Sequence, residues 1–334
     1  MRYDKGEARM RFKHFACAIA GAALALASTT ALAKDDFPSA PVHIVVPYPA
    51  GGIVDIVART IAARVSQDWN GKPIIVESKP GADSNIGTAA VAHSAPDGYN
   101  WLITGPAVLV NPSLYQNAGW QPLRDFKCVA VAVWNQSVAL VPSALPVKTM
   151  KEFVAYAKAH PGQLNFGNPG VGSSIDLTFK NLSNVAGIKL ANIGYKGQPP
   201  ALVDLIGNRV QFEIVSLVLA MPHIKDGSVR PLAVFTEKPV PQLPTVPTIA
   251  QAGYPQAAYV PWYGIYVPAK TPPAVVASIH QAIDQALAAP EVKTRLANAD
   301  IPGTPMPLDA LAKLMKTDYA SLTGVIKASG IKPQ

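Results

Sequence analysis

Between Val42 and Val65 an apolar run passes through a glycine turn into a four-residue periodicity. Val42-His43-Ile44-Val45-Val46-Pro47 reads as a buried strand, and Pro49-Ala50-Gly51-Gly52 as a turn. Ile53, Val57, Ile61 and Val65 then line one face of a helix. Strand, turn and helix in that order repeat along the chain. Residues 72–77 read as a second strand, and Lys79-Pro80-Gly81-Ala82-Asp83 as a second turn. Ser84 or Asn85 is placed to cap a helix through Ala92, and residues 99–104 form a third strand. Such alternation predicts an α/β lobe with a largely parallel sheet.

A second lobe follows by the same reasoning. Residues 127–140 are rich in Val and Ala, and 137–141 read as a strand. Thr149 can cap a helix over Met150–Ala159, which stops at His160-Pro161-Gly162. Residues 164–167 read as a strand and 168–172 as another glycine turn. Ile175, Phe179, Leu182 and Ala186 trace the next helix face, with Gly187 as its C-terminal cap. A strand, a helix over 199–206 and strands over 210–215 and 230–236 complete the lobe. After a proline-rich stretch over 239–255, residues 262–267 read as a returning strand. Helices over Pro273–Ala288, 290–299 and Leu308–Ala328 close the chain.

The 334 residues are 49% hydrophobic and 15% charged, which excludes a disordered chain and a coiled coil. The formal charge of +8 taken alone points towards nucleic acid. Part of that charge lies in a segment built like a secretory leader. Arg2, Lys5, Arg9, Arg11 and Lys13 precede an uncharged run from Phe15 to Leu32, which ends in Ala31-Leu32-Ala33. Cleavage is expected after Ala33, with Met1 or Met10 as the start. Removing 1–33 leaves a charge of +5, scattered singly with no run of three bases. No nucleic-acid platform is present in that pattern. The mature chain keeps one cysteine, Cys128, so an internal disulfide is impossible and the core must stabilise an exported protein alone.

The glycine turns carry the candidate chemistry. At Pro49-Ala50-Gly51-Gly52-Ile53-Val54-Asp55, the glycines bare backbone N–H groups at a helix start, where the first four amides lack partners and the dipole favours an anion. The turn either binds a carboxylate or phosphate or simply binds water. It is no P-loop, since no Gly-Lys-Ser/Thr follows. Asn168-Pro169-Gly170-Val171-Gly172-Ser173-Ser174 repeats the design in the second lobe, with Ser173 or Ser174 able to cap the helix and offer a hydroxyl. Two such sites suit both ends of a dicarboxylate. Thr104-Gly105-Pro106-Ala107 either lines the same cleft or is a structural turn. His43, His93, His160, His223 and His280 are isolated, and no H-E-x-x-H, C-x-x-C or G-x-S-x-G occurs. No metal, cofactor or catalytic residue is therefore expected.

The chain resembles the Bug family, the TctC-like extracytoplasmic solute receptors. The resemblance covers nearly all of 37–334. It rests on Val45-Val46-Pro47-Tyr48-Pro49-Ala50-Gly51-Gly52 with Asp55 and Arg59, and on Val76-Glu77-Ser78-Lys79-Pro80-Gly81-Ala82 with Asn85-Ile86-Gly87. Ala95-Pro96-Asp97-Gly98-Tyr99, Asn111-Pro112-Ser113-Leu114-Tyr115, Tyr195-Lys196-Gly197 and Leu243-Pro244-Thr245-Val246-Pro247-Thr248 follow in the same order. It implies a two-lobed periplasmic binding protein of the Venus-flytrap kind, monomeric, with its ligand in a cleft between the lobes. The implied division is a leader over 1–33, a first lobe over 34–136, a second over 137–262 and a return to the first over 263–334. Crossings are placed near 133–141 and 259–267.

The implied ligand is a small carboxylate. It would be held, often through ordered waters, by the loop of Tyr48, Ala50, Gly51, Gly52, Ile53 and Val54. Thr104, Ala107, Asn168, Gly172, Ser173 and Ser174 would line the same cleft. The implied partner is the membrane permease of a tripartite tricarboxylate transporter. Two departures stand out. Asp176 stands where the family often has His; it either brings an acid to an anion site or serves the helix start and pairs with Lys180. Val215-Ser216 stands where the family often has Asp-Asn, which predicts a pocket for a less polar carboxylate, aromatic or a longer diacid. A sensor component of a signalling system and an exported α/β enzyme are the rival functions.

Overall fold

The protein is described by a computed structural model over residues 37–170, 173–297, 301, 303, 305–330 and 333. The leader over 1–33 and Gly172 lie outside the described residues. Every element below lies in the compact unit Ala40–Gln334.

Strand β1 (Val42–Val46) enters helix α1 (Ile53–Asp68); β2 (Ile74–Ser78) enters α2 (Asn85–Ala92); β3 (Asn100–Thr104) enters α3 (Ala107–Leu114). A short helix α4 (Pro122–Asp125) leads into β4 (Phe126–Trp134). The chain then runs through β5 (Ser137–Pro142), α5 (Met150–Ala159), β6 (Asn165–Asn168), α6 (Ser174–Ala186), β7 (Ala191–Gly194) and α7 (Gln198–Ile206). It continues through β8 (Glu213–Ser216), α8 (Leu217–Lys225) and β9 (Val229–Phe235). The chain returns through β10 (Trp262–Pro268) and ends in α9 (Pro273–Ala288), α10 (Pro290–Ala297) and α11 (Leu308–Ala328). No described helix is long and apolar enough to cross a membrane.

The first sheet has the order β2-β1-β3-β10-β4. Its β2-β1-β3 part is parallel, as strand–helix alternation requires, with Val42 opposite Ile74 and His43 opposite Asn100. The other part corrects the expectation of a largely parallel sheet. Strand β10 runs antiparallel to both β3 and β4, because it returns from the second lobe instead of leaving a helix of the first. Its register slips beside Gly264, where a Cβ would stand 2.5 Å from the Trp262 ring. The second sheet, β8-β5-β9, is antiparallel about β5, which again departs from a parallel α/β lobe. Its parallel element is the separate β6–β7 pair, joined to the chain before β8 by a bridge between Phe166 and Phe212.

Packing explains why these segments hold. Helix α1 buries Val54, Val57, Ala58, Ile61 and Val65 along one face. In the second lobe four aromatic rings form one core: Phe166 stacks on Phe179 at 3.8 Å, and Phe153 on Phe212 at 4.6 Å. The Thr149 hydroxyl caps α5 by accepting from Glu152 N–H at 3.1 Å, and the Glu152 carboxylate accepts from Lys148 N–H, one residue before the cap, at 2.7 Å. Gly187 ends α6 in the left-handed conformation, φ +64°. Helix α3 tolerates Pro112 in its interior. The Val108 carbonyl, deprived of a donor by that proline, accepts instead from the Trp120 indole at 3.1 Å.

Two connections join the sheets, and they run side by side. Trp134 pairs with Trp262, and Asn135 N–H donates to Pro261 O at 2.7 Å. The Trp262 indole then donates to Asp318 Oδ2 at 2.7 Å, which ties the start of β10 to α11.

Candidate functional site

Strand β1 ends in a buried core position, and Tyr48 to Gly52 turn the chain outward into α1. Gly51 adopts φ +84°, which a side chain would strain. Gly52 is the N-cap in an extended conformation, and no side chain caps the helix. The first intrahelical bond runs from Ile56 N–H to Gly52 O at 3.0 Å. The amides from Gly52 to Asp55 therefore precede the helical ladder. Ala50 and Gly52 are exposed, Ile53 is half-buried and Val54 is buried.

Gly51 itself departs from the expectation of a bare amide. Its N–H donates to Asp55 Oδ2 at 3.0 Å, and Arg59 Nε donates to the same oxygen at 2.9 Å. Asp55 is buried, and its Oδ1 has no protein partner. The Arg59 guanidinium and the Gly51 amide hold this carboxyl below the usual carboxylate range, against the opposing effect of burial.

Beside this turn, Tyr48 and Thr104 meet hydroxyl to hydroxyl at 3.0 Å, and Gly105 N–H points at the Tyr48 oxygen at 3.5 Å. Burial raises the Tyr48 phenol above its ordinary value. Gly105 admits the Tyr263 ring, since a Cβ there would stand 2.8 Å from it. Ala107, half-buried, opens α3.

Three residues escaped the sequence reading as neighbours of this turn. Tyr263 comes from a strand 158 positions beyond Gly105, and no local pattern links them. Asp83 and Ser84 belong to a loop in which Ala82, Asp83 and Ser84 adopt φ of +46°, +50° and +73°. Ser84 occupies the N-cap of α2 but makes no side-chain cap, which corrects its expected role. Asn111 holds the loop by donating to Asp83 O and Asn85 Oδ1, both at 2.7 Å. The Asp83 charge adds to the effect of burial in raising the Tyr48 phenol.

The second-lobe turn is built differently. Asn168 is fully buried at the end of β6. Its Nδ2 donates to Asp176 Oδ1 at 2.9 Å, and its Oδ1 accepts from Gly170 N–H at 2.9 Å. The Ser173 hydroxyl caps α6 by accepting from Asp176 N–H at 3.2 Å. Lys180 Nζ donates to Asp176 Oδ2 at 2.5 Å. Asp176 is wholly buried, so of its two readings the structure has the pairing with Lys180. Ser174 is half-buried, and its carbonyl accepts from the Thr178 hydroxyl at 2.7 Å.

Val215 and Ser216 are placed otherwise than a cleft wall requires. Val215 is wholly buried in an apolar cluster with Val138, Leu202, Leu217, Ala220 and Val234. Its pairing opposite Val138 puts it on the sheet face covered by α7 and α8. Ser216 donates to Asn135 Oδ1 at 3.1 Å, and its N–H donates to Gln198 Oε1 at 3.1 Å. Its polar atoms thus serve the connection between the sheets. Two residues before Val215, Glu213 is fully buried with neither carboxylate oxygen partnered, and burial pushes it up to about 9.

Two surface cavities lie among described residues away from these turns. One of about 440 Å³ is lined chiefly by apolar residues of α4, β4, α9 and α11, including Phe126, Val276 and Met315. Another of about 290 Å³ lies among Trp134, Glu237, Tyr259 and Asp318. Among the described residues, no three His, Cys, Asp or Glu side chains gather as a metal site.

Known proteins share this architecture. The family model described as "Tripartite tricarboxylate transporter family receptor" matches residues 57–331. The UPF0065 protein in the tcbD–tcbE intergenic region of a Pseudomonas species is 35% identical over 303 residues, 90% of each chain. An R. palustris protein solved with adipate superposes with a TM-score of 0.76 at 30% identity, over 89% of this chain and all of that one. The periplasmic binding protein BugD superposes with a TM-score of 0.73 at 31% identity, over 89% of this chain and all of that one.

Proposed function

This chain belongs to the tripartite tricarboxylate transporter receptors, the TctC or Bug type of two-lobed periplasmic solute-binding protein, and from that premise we propose that it captures a small dicarboxylate. The observation that carries the ligand class is the uncapped start of α1. Its amides from Gly52 to Asp55 precede the helical ladder at an exposed turn, with Tyr48 and Thr104 beside them. An anion there meets backbone donors and the positive end of the helix dipole. Gly172, Ser173 and Ser174 face the other end of the ligand in this reading, and Asn168, buried beneath the turn, holds it through Gly170. Ile53, Val54 and Ala107 supply its apolar flank. The adipate held by the R. palustris relative supports a diacid with an aliphatic chain. Val215, being core, offers no wall for an aromatic ring.

In this reading the first lobe comprises 34–136 and 263–334, the second 137–262, and they close about the paired connections at Asn135 and Pro261. The leader is removed near Ala33, and the receptor works as a monomer that delivers its ligand to the permease subunits of a tripartite tricarboxylate transporter. The relatives are solute-binding proteins, and capture rather than catalysis is the role assigned here. Isothermal titration of the refolded mature chain with adipate, succinate and benzoate tests the ligand. Adipate at 100 times its dissociation constant should stabilise the fold by about 2.7 kcal/mol. Silence from all three acids would overturn the carboxylate reading. Binding of benzoate alone would overturn the diacid.

A further inference from the structure

The cavity of about 290 Å³ draws its walls from both sheets and from the connection between them. Trp134 ends β4, and Thr236 and Glu237 follow β9. Tyr259 belongs to the returning connection, and Leu314 and Asp318 lie on α11. Among the described residues, two aromatic side chains and two carboxylates line it, and no Lys, Arg or His does. Asp318 is 9% exposed. Its Oδ2 is engaged by the Trp262 indole, and among the described residues no hydrogen bond falls on its Oδ1. The phenol oxygen of Tyr259 is buried without a partner. Carboxylates beside aromatic faces, with no protein cation to answer them, are the chemistry that recognises an organic cation. The volume lies just under the range of drug-sized sites, about 300–1,000 Å³, and suits a smaller molecule.

We propose that this cavity is a second ligand site, which takes a small organic ammonium ion. The ammonium donates to Asp318 Oδ1 and to the Tyr259 oxygen, and its alkyl part lies against Trp134. Glu237, exposed at the rim, supplies the second charge. Because the walls come from both sheets, lobe rotation changes their spacing. An occupant therefore favours one lobe arrangement over the other, and its binding is linked to capture of the dicarboxylate. That linkage rests on the closure reading above; the site itself does not.

The test is titration of the mature chain with ethylammonium chloride, against sodium chloride at equal ionic strength, read by thermal shift and calorimetry. Saturable binding is expected for ethylammonium and none for sodium. E237Q, at an exposed position, should weaken it severalfold, and D318N by about tenfold. The carboxamide that D318N introduces keeps an oxygen acceptor for the Trp262 indole, so the fold is expected to survive. A response no larger than that of sodium chloride, or one that both variants leave intact, overturns the site. Repeating the adipate titration with saturating ethylammonium reads the linkage, and an unchanged adipate affinity overturns that part. The ammonium titration needs no carboxylate, so its outcome is separate from that of the diacid assignment.

Discussion

The helix that leaves β1 and the helix that leaves β6 both begin at a glycine-containing turn, yet they satisfy their first amides in opposite ways. At Gly52 no side chain caps the helix, and Asp55 spends its bonded oxygen on Gly51, outside the helical ladder. At Ser173 the hydroxyl takes the Asp176 amide, and Asp176 is closed in by Asn168 and Lys180. An incoming anion meets open donors at the first turn. At the second it must compete with a cap and a buried carboxylate. If the proposed site is right, the firmer grip on charge belongs to the start of α1, and the start of α6 serves chiefly stability.

Buried acids in the second lobe repeat the contrast and give the largest expected effect. Asp176 has partners on both oxygens, whereas Glu213 has none. Glu213 titrates at about 9 in the folded chain, far above the usual carboxylate range. Between roughly pH 4.5 and 9 the folded chain holds a proton that the unfolded chain releases. Stability is therefore full below pH 4.5 and falls as pH rises, by about 1.4 kcal/mol per unit. Urea midpoints should show a loss on the order of 4 kcal/mol between pH 5 and pH 8 in the wild type. E213Q should remove most of that slope. Equal slopes in both proteins would mean that Glu213 is solvated.

Next in size is D176A, which strips the buried partner from Lys180 and Asn168. A loss of about 3 kcal/mol is expected. D55A leaves only an exposed guanidinium and the Gly51 amide behind, and a loss of about 1 kcal/mol is expected. Chemical denaturation of the two variants sets them side by side. A D55A loss as large as that of D176A would erase the contrast between the two helix starts.

Much of this architecture was legible in the sequence, and the failures have identifiable causes. The apolar faces of α1 and of α6 repeat at helical spacing, so Ile53, Val57 and Ile61, or Ile175, Phe179 and Leu182, announce them. Helix α3 gives no such signal, because Asn111-Pro112 reads as a breaker; the Trp120 indole that answers the lost donor is distant in sequence. Strand direction was hidden for a topological reason. Nothing local in residues 262–268 tells a returning antiparallel strand from the next parallel one. Within the candidate site, turn chemistry was readable at Gly51 and Gly52, but the claim of Asp55 on Gly51 was not. Val215 sat at a position where a family pattern suggests polarity, and only its pairing with Val138 reveals a core face. Asp83 and Tyr263 act electrostatically on or with Tyr48 through the fold, with no sequence spacing to betray them.

The sharpest test of the comparison exchanges the two helix starts. Gly52 has φ −76° and ψ 172°, which any residue adopts, and a Cβ there would meet Pro49 O at an ordinary 3.6 Å. G52D therefore installs a cap and a charge without strain. The new carboxylate accepts from the open amides, so stability should rise by a few tenths of a kcal/mol. Adipate affinity should fall by about tenfold or more, because the same donors are now taken. In the reverse exchange, S173G removes the cap of α6. It should cost only a few tenths of a kcal/mol and change adipate affinity by less than about twofold. Calorimetric titration of both variants decides the matter. If S173G weakens adipate as much as G52D does, the charge is shared equally by the two lobes. If G52D binds adipate undiminished, the start of α1 is not where the carboxylate sits.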